Sequence, residues 1–319
     1  MAREKTKCIT SIGGQALLEG ILMRGPQQTS IAVRLPSGEV ETEYMETHFL
    51  KDRWKIFRFP FLRGIASLID SMRMGYKALM ISAEKSGLEE EEGEPSKFEK
   101  WLTRVFGDKL MNVLMVIATV LGVALAVVLF FMLPTWLFNL LGMAAPQVGE
   151  SQLIRSIFEG ALRIVIFLLY VVFCSKMPEI RRVFEYHGAE HKTIFCYENE
   201  EELTVENVRK YRRFHPRCGT SFMVIMLMLG IVIGFFIPFS NALLRTLIKI
   251  LCIPLLMSIG YELIRLCGRY DNVVTRVIAA PGMWMQRITT KEPDDGMIEV
   301  AISALKAVIP ENGEDKIKA

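Results

Sequence analysis

Four blocks of apolar residues, each close to the length of a membrane-spanning helix, restrict the fold of this chain more than any other feature. They cover residues 113–133, 157–174, 221–239 and 242–267. A helix needs about 20 mostly apolar residues to cross a hydrocarbon layer about 30 Å thick, and hydrophobic residues make up 51% of the 319. The sequence therefore predicts an α-helical integral membrane protein with four transmembrane helices.

The distribution of lysine and arginine predicts the orientation of these helices. Both residue types are frequent before the first block, in the loop 176–217 and after residue 268, whereas the loop 134–156 contains only Arg155 and the turn 238–241 contains neither. Because cytoplasmic loops carry the excess of positive charge, we expect both termini and the central loop in the cytoplasm. The N-terminus has positive charge but no apolar core behind it, so we do not expect a signal peptide.

The polar segments predict a small cytoplasmic α+β domain, formed by the N-terminal β-rich segment, the central loop and the C-terminal tail. Pro36-Ser37-Gly38 marks a hairpin turn between two strands. In the second strand, glutamates alternate with Val40, Thr42 and Tyr44. This alternation is typical of a sheet with one solvent-exposed face. In the tail, Asp294 or Asp295 can cap a helix that runs to about Val308.

The segment after the β-rich unit is apolar but carries five charged residues that recur throughout it, Arg58, Arg63, Asp70, Arg73 and Lys77. Burying such charges in lipid costs several kcal/mol each, so we expect an amphipathic helix at the membrane surface or against the cytoplasmic domain. The predicted organisation is a β-rich unit (1–52), this interfacial helix (53–88), an acidic linker (89–110), transmembrane helices 1 and 2 (111–175), a cytoplasmic His/Cys loop (176–220), transmembrane helices 3 and 4 (221–267) and a cytoplasmic tail (268–319).

The His/Cys loop concentrates the residue types that bind metals. His187 and His191 are four residues apart, so on a helix both lie on one face, one turn from each other. Glu190 completes the pattern His-x-x-Glu-His, the inverted form of the zinc-protease helix motif. In that motif the carboxylate is the general base toward a water that the metal activates. The sequence therefore predicts His187 and His191 as ligands and Glu190 as the catalytic residue.

A second pair, His215 and Cys218, lies 24 residues further on and can complete a tetrahedral site for a divalent metal, with zinc expected. A site closed by all four ligands would be structural, whereas three ligands and a water would leave a catalytic position open. The spacing leaves both arrangements open. The alternative is that the histidines are ordinary hydrogen-bonding groups of a surface loop. Among the cysteines, which contain no CxxC pair, Cys196 is expected to be a buried apolar residue.

Four separate motifs resemble one family. They are the glycine-rich stretch 13–26, the histidine stretch 186–198, the basic run 203–222 and the tail segment 281–295. Together they resemble the YqhQ family of bacterial integral membrane proteins. The resemblance implies a multi-pass protein of the bacterial cytoplasmic membrane and a metal-dependent enzyme. The family's genes often lie near translation genes, which implies work at the ribosome or in membrane insertion.

Several other polar residues are candidates for the site or for ion pairs. Glu262 is an additional ligand or an ion-pair partner, and Glu19 and Arg24 can reach the metal loop or its ligand. The alternative for Glu19 and Arg24 is a glycine-rich connection in a small β domain. Within the spans, Glu159 with Arg163 and Glu262 with Arg265 are expected to form intramembrane ion pairs.

Two functions are consistent with these motifs and charges. The first is a membrane-embedded, metal-dependent hydrolase that works at the cytoplasmic face. The second is a non-catalytic membrane factor with a structural His/Cys cluster, in which basic residues of the same loop bind a ribosome or a membrane-protein complex. Those residues are Lys192, Arg209, Lys210, Arg212, Arg213 and Arg217. With a net charge of only +3, we expect no specific DNA binding.

Overall fold

The computed structural model describes residues 7–46, 49–60, 62–87, 109–270 and 272–317, so most of the predicted linker 89–110 lies outside the described residues. The described chain is mostly helical and contains two small sheets. The strands are β1 (Ile9–Thr10), β2 (Gly13–Leu17), β3 (Gly20–Arg24), β4 (Thr29–Arg34), β5 (Val40–Met45) and β6 (Lys316–Ile317).

The α-helices follow one another along most of the described chain. In chain order they are α1 (Leu50–Arg53), α2 (Leu62–Lys85), α3 (Lys109–Val127), α4 (Leu133–Ala144), α5 (Pro146–Gly149), α6 (Gln152–Cys174), α7 (Pro178–Glu198), α8 (Val205–Arg209), α9 (Gly219–Gly234), α10 (Ala242–Leu251), α11 (Ile253–Arg269), α12 (Val273–Thr289) and α13 (Asp295–Lys306). A π-helical segment, Val128–Met132, joins α3 to α4, and a short 3-10 helix, Lys55–Arg58, follows α1.

The chain forms two compact units. The sheet unit consists of Met1–Glu89, Val171–Met226 and Pro254–Ala319, and the span unit consists of Glu90–Tyr170 and Leu227–Ile253. Three distant stretches of sequence thus build the sheet unit, and the histidine loop belongs to it.

The main sheet is an antiparallel meander in the order β2-β3-β4-β5. The turn between β4 and β5 contains Gly38 at a φ of +88°, a backbone conformation that glycine adopts without steric cost. This confirms the hairpin that the sequence predicted at Pro36-Ser37-Gly38.

Helices cover both faces of this sheet, so the prediction of one solvent-exposed face is wrong. One face packs on α2 through a buried cluster that contains Leu22, Ile31 and Ala78. The other face packs on α7 and α13 through Ile21, Met23, Ala189 and their neighbours. The alternation in β5 did not show this, because β5 is an edge strand and its exposed residues say nothing about the buried β3 and β4.

The predicted helix of the tail is confirmed as α13. The Asp294 side chain accepts a hydrogen bond of 2.8 Å from the backbone N–H of Met297, which satisfies one of the unpaired donors of the first turn. Ile298 and Leu305, on the predicted apolar face, are fully buried against the sheet.

Among the residues that the structure describes, two helices are long and apolar enough to cross a membrane, and a third qualifies if one bent pair is counted as a single span. The two are Val116–Ala144 and Gln152–Cys174, and the bent pair is α10 with α11, which meet at 46°. The apolar helix α9 has 16 residues and ends at Gly234, so it is shorter than the block 221–239 from which it was predicted. These apolar helices are compatible with membrane insertion.

Charged side chains inside the span unit pair differently from the sequence prediction. Glu159 accepts hydrogen bonds from Arg245 Nε at 3.0 Å and from Lys249 Nζ at 2.5 Å. Arg163 donates to the backbone oxygen of Phe130 at 2.7 Å instead. The expected Glu159–Arg163 pair is therefore wrong. The Glu159 carboxylate is hydrogen-bonded to two side chains of α10, and Arg163 is hydrogen-bonded to a backbone carbonyl.

Candidate metal centre

Three predicted ligands meet in the sheet unit. His187, His191 and Cys218 each offer one ligand atom, and these atoms all lie within 4.8 Å of one another. The two histidines follow each other by one turn of α7, with ring centroids 4.4 Å apart, and His187 Nε2 lies 3.0 Å from Cys218 Sγ. Two imidazoles and a thiol at this spacing form a donor set that suits zinc.

Backbone carbonyls fix the orientation of both imidazoles. His187 Nδ1 lies 2.8 Å from the carbonyl oxygen of Thr289, and His191 Nδ1 lies 2.5 Å from that of Arg213. Because a carbonyl oxygen only accepts, each Nδ1 must carry a hydrogen, and Nε2 is the nitrogen through which each ring could bind a cation after losing its proton. Metal-binding histidines are oriented in this way in most known sites.

Cys218 has the electrostatic surroundings of a thiolate. Burial alone would raise the pKa of its thiol, but the neighbouring His187 and His191 outweigh burial and hold the pKa well below its usual value. Burial would likewise lower the pKa of His187, yet Cys218 and Glu190 raise it to about 9. Since a thiolate is the form that binds metals, this part of the site favours a cation.

Glu190 lies on the same helix, buried beside the three ligands. Its Oε1 accepts a hydrogen bond of 3.1 Å from the backbone N–H of Gly14. Burial raises the pKa of this carboxyl group, and His187 and His191 oppose that rise. The contact with Gly14 brings the glycine-rich N-terminal stretch to the site, where the absence of a side chain permits the close approach.

His215 lies near the three ligands but is not one of the group. Its ring centroid is 5.5 Å from that of His191, while its Nε2 faces Glu198 Oε2 at 3.7 Å and its Nδ1 accepts from the backbone N–H of Arg217 at 3.3 Å. Burial lowers the pKa of His215 to about 4, so its ring is neutral. Both nitrogens of His215 thus face groups other than the three ligands.

The other candidates make separate contacts. Glu262 accepts from Arg63 through both carboxylate oxygens, at 2.6 and 2.5 Å, and its expected pair with Arg265 stays a prediction. Glu19 pairs with Arg182 and accepts from the Tyr186 hydroxyl at 3.1 Å. The guanidinium of Arg24 lies 4.1 Å from the centre of the Phe49 ring. None of these three candidates belongs to the group of ligand atoms found among the described residues.

One buried polar network beside the site was not predicted. Glu198 is 3% exposed, accepts from the backbone N–H of Thr10 at 2.9 Å and pairs with Arg217. Its position seven residues after His191 places it two turns further on the same helix face, and that spacing was the available signal. The network ties the N-terminal strand β1 to the loop that carries Cys218.

Most of the predicted basic cluster is paired with carboxylates. Lys192 and Arg213 both contact Glu292, Arg209 pairs with Asp295, and Arg217 pairs with Glu198. Lys192, Arg209 and Arg213 therefore help to hold the loop to the tail, whereas Arg217 holds the loop to α7.

Two comparisons with known proteins match most of the chain. A family model described as "Protein of unknown function (DUF1385)" matches residues 59–311. The chain is similar to the "Uncharacterized protein YqhQ" of Bacillus subtilis (strain 168), with 32% identity over 315 residues that cover 96% of this chain and 94% of the relative. No solved structure matches. The family model covers the histidine loop and the apolar helices, and the similarity to the Bacillus subtilis protein extends over nearly the whole chain, so the chain belongs to the YqhQ family.

Proposed function

We propose that this protein is a metal-dependent hydrolase that works at the cytoplasmic face of the bacterial membrane. The observation that carries the proposal is the convergence of one ligand atom each from His187, His191 and Cys218 within 4.8 Å beside the buried carboxyl group of Glu190. Three protein ligands leave a fourth tetrahedral position open, as in catalytic zinc sites.

The residues present fit a divalent ion such as zinc. Backbone carbonyls hold the Nδ1–H of both imidazoles, so that Nε2 is the nitrogen available to a metal, and the surroundings of Cys218 favour its thiolate. A bound ion would polarise a carbonyl or phosphoryl oxygen and acidify a water molecule. Glu190 would accept a proton from the attacking water, and the N–H of Gly14 would hold that carboxylate in place.

The finer membrane arrangement is also a proposal. Four spans with both termini in the cytoplasm agree with the lysine and arginine distribution, and α9 and the bent pair α10–α11 would supply the third and fourth. Polar groups support the short helix α9, because Gln152 Nε2 donates to the carbonyls of Gly234 and Ile237 at 3.0 and 2.5 Å. Backbone groups in lipid need such partners.

Metal analysis of the purified full chain tests the proposal. The parent protein should carry about one equivalent of zinc or a similar ion. His187→Ala, His191→Ala and Cys218→Ala should lose most of it. His215→Ala is the matched control, because it removes a buried histidine nearby whose nitrogens face other groups, and it should retain the metal. A metal-free parent protein would remove the proposal.

Glu190→Gln tests the hydrolase assignment separately. This variant should keep its metal but lose hydrolysis of whichever ester, amide or phosphodiester substrate of a test panel the parent cleaves, by about 100-fold or more. If Glu190→Gln keeps both metal and activity, Glu190 is not the base.

A structural role for the same metal is the second candidate. It is favoured by the number of segments that meet at the site: β2 through Gly14, α7, the loop around Arg213 and the end of α12 at Thr289. In this case the protein would be a non-catalytic membrane factor with a ribosome or a membrane-protein complex as its partner. Loss of metal would then lower the melting temperature strongly, and no substrate of the panel would be cleaved by the parent.

A further inference from the structure

The span unit contains a cluster of buried charged side chains, which we call the buried charge cluster. Its members are between 0% and 7% exposed, and they are Arg155, Glu159 and Arg163 of α6 with Arg245 and Lys249 of α10. Within each helix they follow one another at intervals of four residues, so they share one helix face. The two faces meet because Glu159 accepts hydrogen bonds from Arg245 and Lys249. The cluster shares no residue with the candidate metal centre.

The buried charge cluster carries more positive than negative charge. Three of its members are arginines, and a guanidinium group does not lose its proton in proteins. Besides Glu159, the described side chains of the span unit include one carboxylate, that of Glu150, and it is exposed. The three arginines alone therefore exceed the buried carboxylate by two charges, and buried charge without compensation is costly.

Neutral groups accept hydrogen bonds from these arginines without balancing their charge. Besides its bond to Glu159, Arg245 donates to three backbone carbonyls. Arg155 donates to the Asn139 side chain at 2.9 Å. Arg163 Nε donates to the Phe130 carbonyl at 2.7 Å. A carbonyl group is a dipole and not an anion, so the excess of positive charge remains.

Four buried polar atoms beside these ion pairs have no hydrogen-bond partner in the part of the chain that the structure describes. Three of them can donate, Ser156 Oγ, Arg163 Nη2 and Thr246 Oγ1, and the fourth is an acceptor, Glu159 Oε1. Ser156 and Arg163 lie on the same face of α6 as Glu159, and Thr246 lies one turn before Lys249 on α10. A ligand that satisfies all four atoms must accept several hydrogen bonds and donate one.

The position of the buried charge cluster favours a free ion over the headgroup of a lipid. Helix α6 is one of the candidate spans, and Arg163 follows its first residue, Gln152, by about 16 Å of helix. That is near the middle of a hydrocarbon layer about 30 Å thick, whereas the phosphates of lipids lie at the surface of that layer.

We propose that the buried charge cluster binds one inorganic phosphate ion. At neutral pH this ion carries about two negative charges, which offset the excess charge of the arginines, and it keeps an O–H group. Its oxygens accept charge-assisted hydrogen bonds from Arg163 Nη2 and hydrogen bonds from the hydroxyls of Ser156 and Thr246. Its O–H group donates to Glu159 Oε1, which the phosphodiester of an ordinary phospholipid is unable to do. This inference does not depend on the metal or on hydrolysis.

Thermal unfolding of the purified full chain in a nonionic detergent tests this proposal. Sodium chloride is replaced stepwise by sodium phosphate or by sodium sulfate, at neutral pH and constant ionic strength. Phosphate should raise the melting temperature of the parent toward a plateau, because a ligand that binds the folded chain stabilises it. Sulfate has the same shape but no O–H group at this pH, so it should require a concentration about tenfold higher or more for the same rise.

Two variants of the cluster and one control locate the phosphate. Arg163→Gln removes a charge and an unpartnered donor, and it should weaken the response to phosphate by about tenfold or more. Thr246→Val replaces an unpartnered buried hydroxyl by a methyl group, so it should fold as well as the parent in chloride and respond less to phosphate. The matched control, Lys176→Gln, removes an exposed cation outside the cluster and should respond as the parent does.

Three results would overturn the proposal. The first is a parent that responds equally to phosphate and sulfate, or to neither. The second is an unchanged phosphate response in Thr246→Val or in a folded Arg163→Gln, because phosphate would then act at another place, such as the candidate metal centre. The third is stabilisation by phosphatidylglycerol and not by free phosphate, because the cluster would then hold a lipid headgroup.

Discussion

At the scale of single residues, two adjacent glycines give a clean test of how the N-terminal stretch supports Glu190. A Cβ atom on Gly14 would meet the Leu22 backbone oxygen at 2.7 Å and Glu190 Cδ at 3.0 Å, whereas a Cβ atom on Gly13 would meet nothing within 4 Å. Gly14→Ala should therefore destabilise the protein by about 1–3 kcal/mol, as overpacking does, and displace the carboxylate.

The matched control is Gly13→Ala, which changes the unfolded chain in the same way but should alter stability by no more than about 0.5 kcal/mol. Thermal unfolding of both variants, together with their activity in the panel that tests the proposed function, provides the measurement. Equal melting temperatures and activities for the two would mean that the contact between Gly14 and Glu190 is unimportant.

The residues of the site differ in how far the sequence could predict their placement. His187, Glu190 and His191 share one helix, so their spacing alone was enough to predict a common face. His215 and Cys218 lie in an irregular loop that contains Pro216, where a spacing of three residues fixes no common side. The contact between Glu190 and Gly14 joins residues 176 positions apart, and no local pattern carries such information.

At the scale of helices, the charged residues of the span unit depend on one carboxylate. Glu159, 2% exposed, is hydrogen-bonded to Arg245 and Lys249, which are 0% and 5% exposed. Removing one partner of a buried ion pair costs about 3–5 kcal/mol, because the remaining charge is left without compensation. Glu159→Gln should therefore lower the melting temperature in detergent by several degrees, and the exposed Glu150→Gln is the control.

The charged residues of α6 and α11 also show where prediction from local spacing fails. Glu159 with Arg163, and Glu262 with Arg265, were expected to pair because they lie three or four residues apart on one helix. In the structure each carboxylate pairs with a cation from a different helix, α10 for Glu159 and the start of α2 for Glu262. Helix packing determines these pairs, and helix packing was not part of the local pattern.

An unchanged melting temperature of Glu159→Gln would mean that the buried Arg245 and Lys249 are stabilised by backbone carbonyls alone.

At the scale of the whole chain, the number of spans separates two arrangements that give the termini the same orientation. If α9 and the pair α10–α11 cross the membrane, the turn 238–241 lies outside the cell. If they form a re-entrant hairpin, that turn lies within the bilayer and only two spans remain.

Single cysteines at exposed positions distinguish the two arrangements when an impermeant maleimide is applied to intact cells. We expect labelling of Ser240→Cys and of the reference Gln147→Cys, which both arrangements predict to be outside, and labelling of Glu314→Cys only after lysis. Protection of Ser240→Cys in intact cells, with Gln147→Cys still labelled, would contradict four spans, since lipid would then cover a turn that the lysine and arginine distribution places outside.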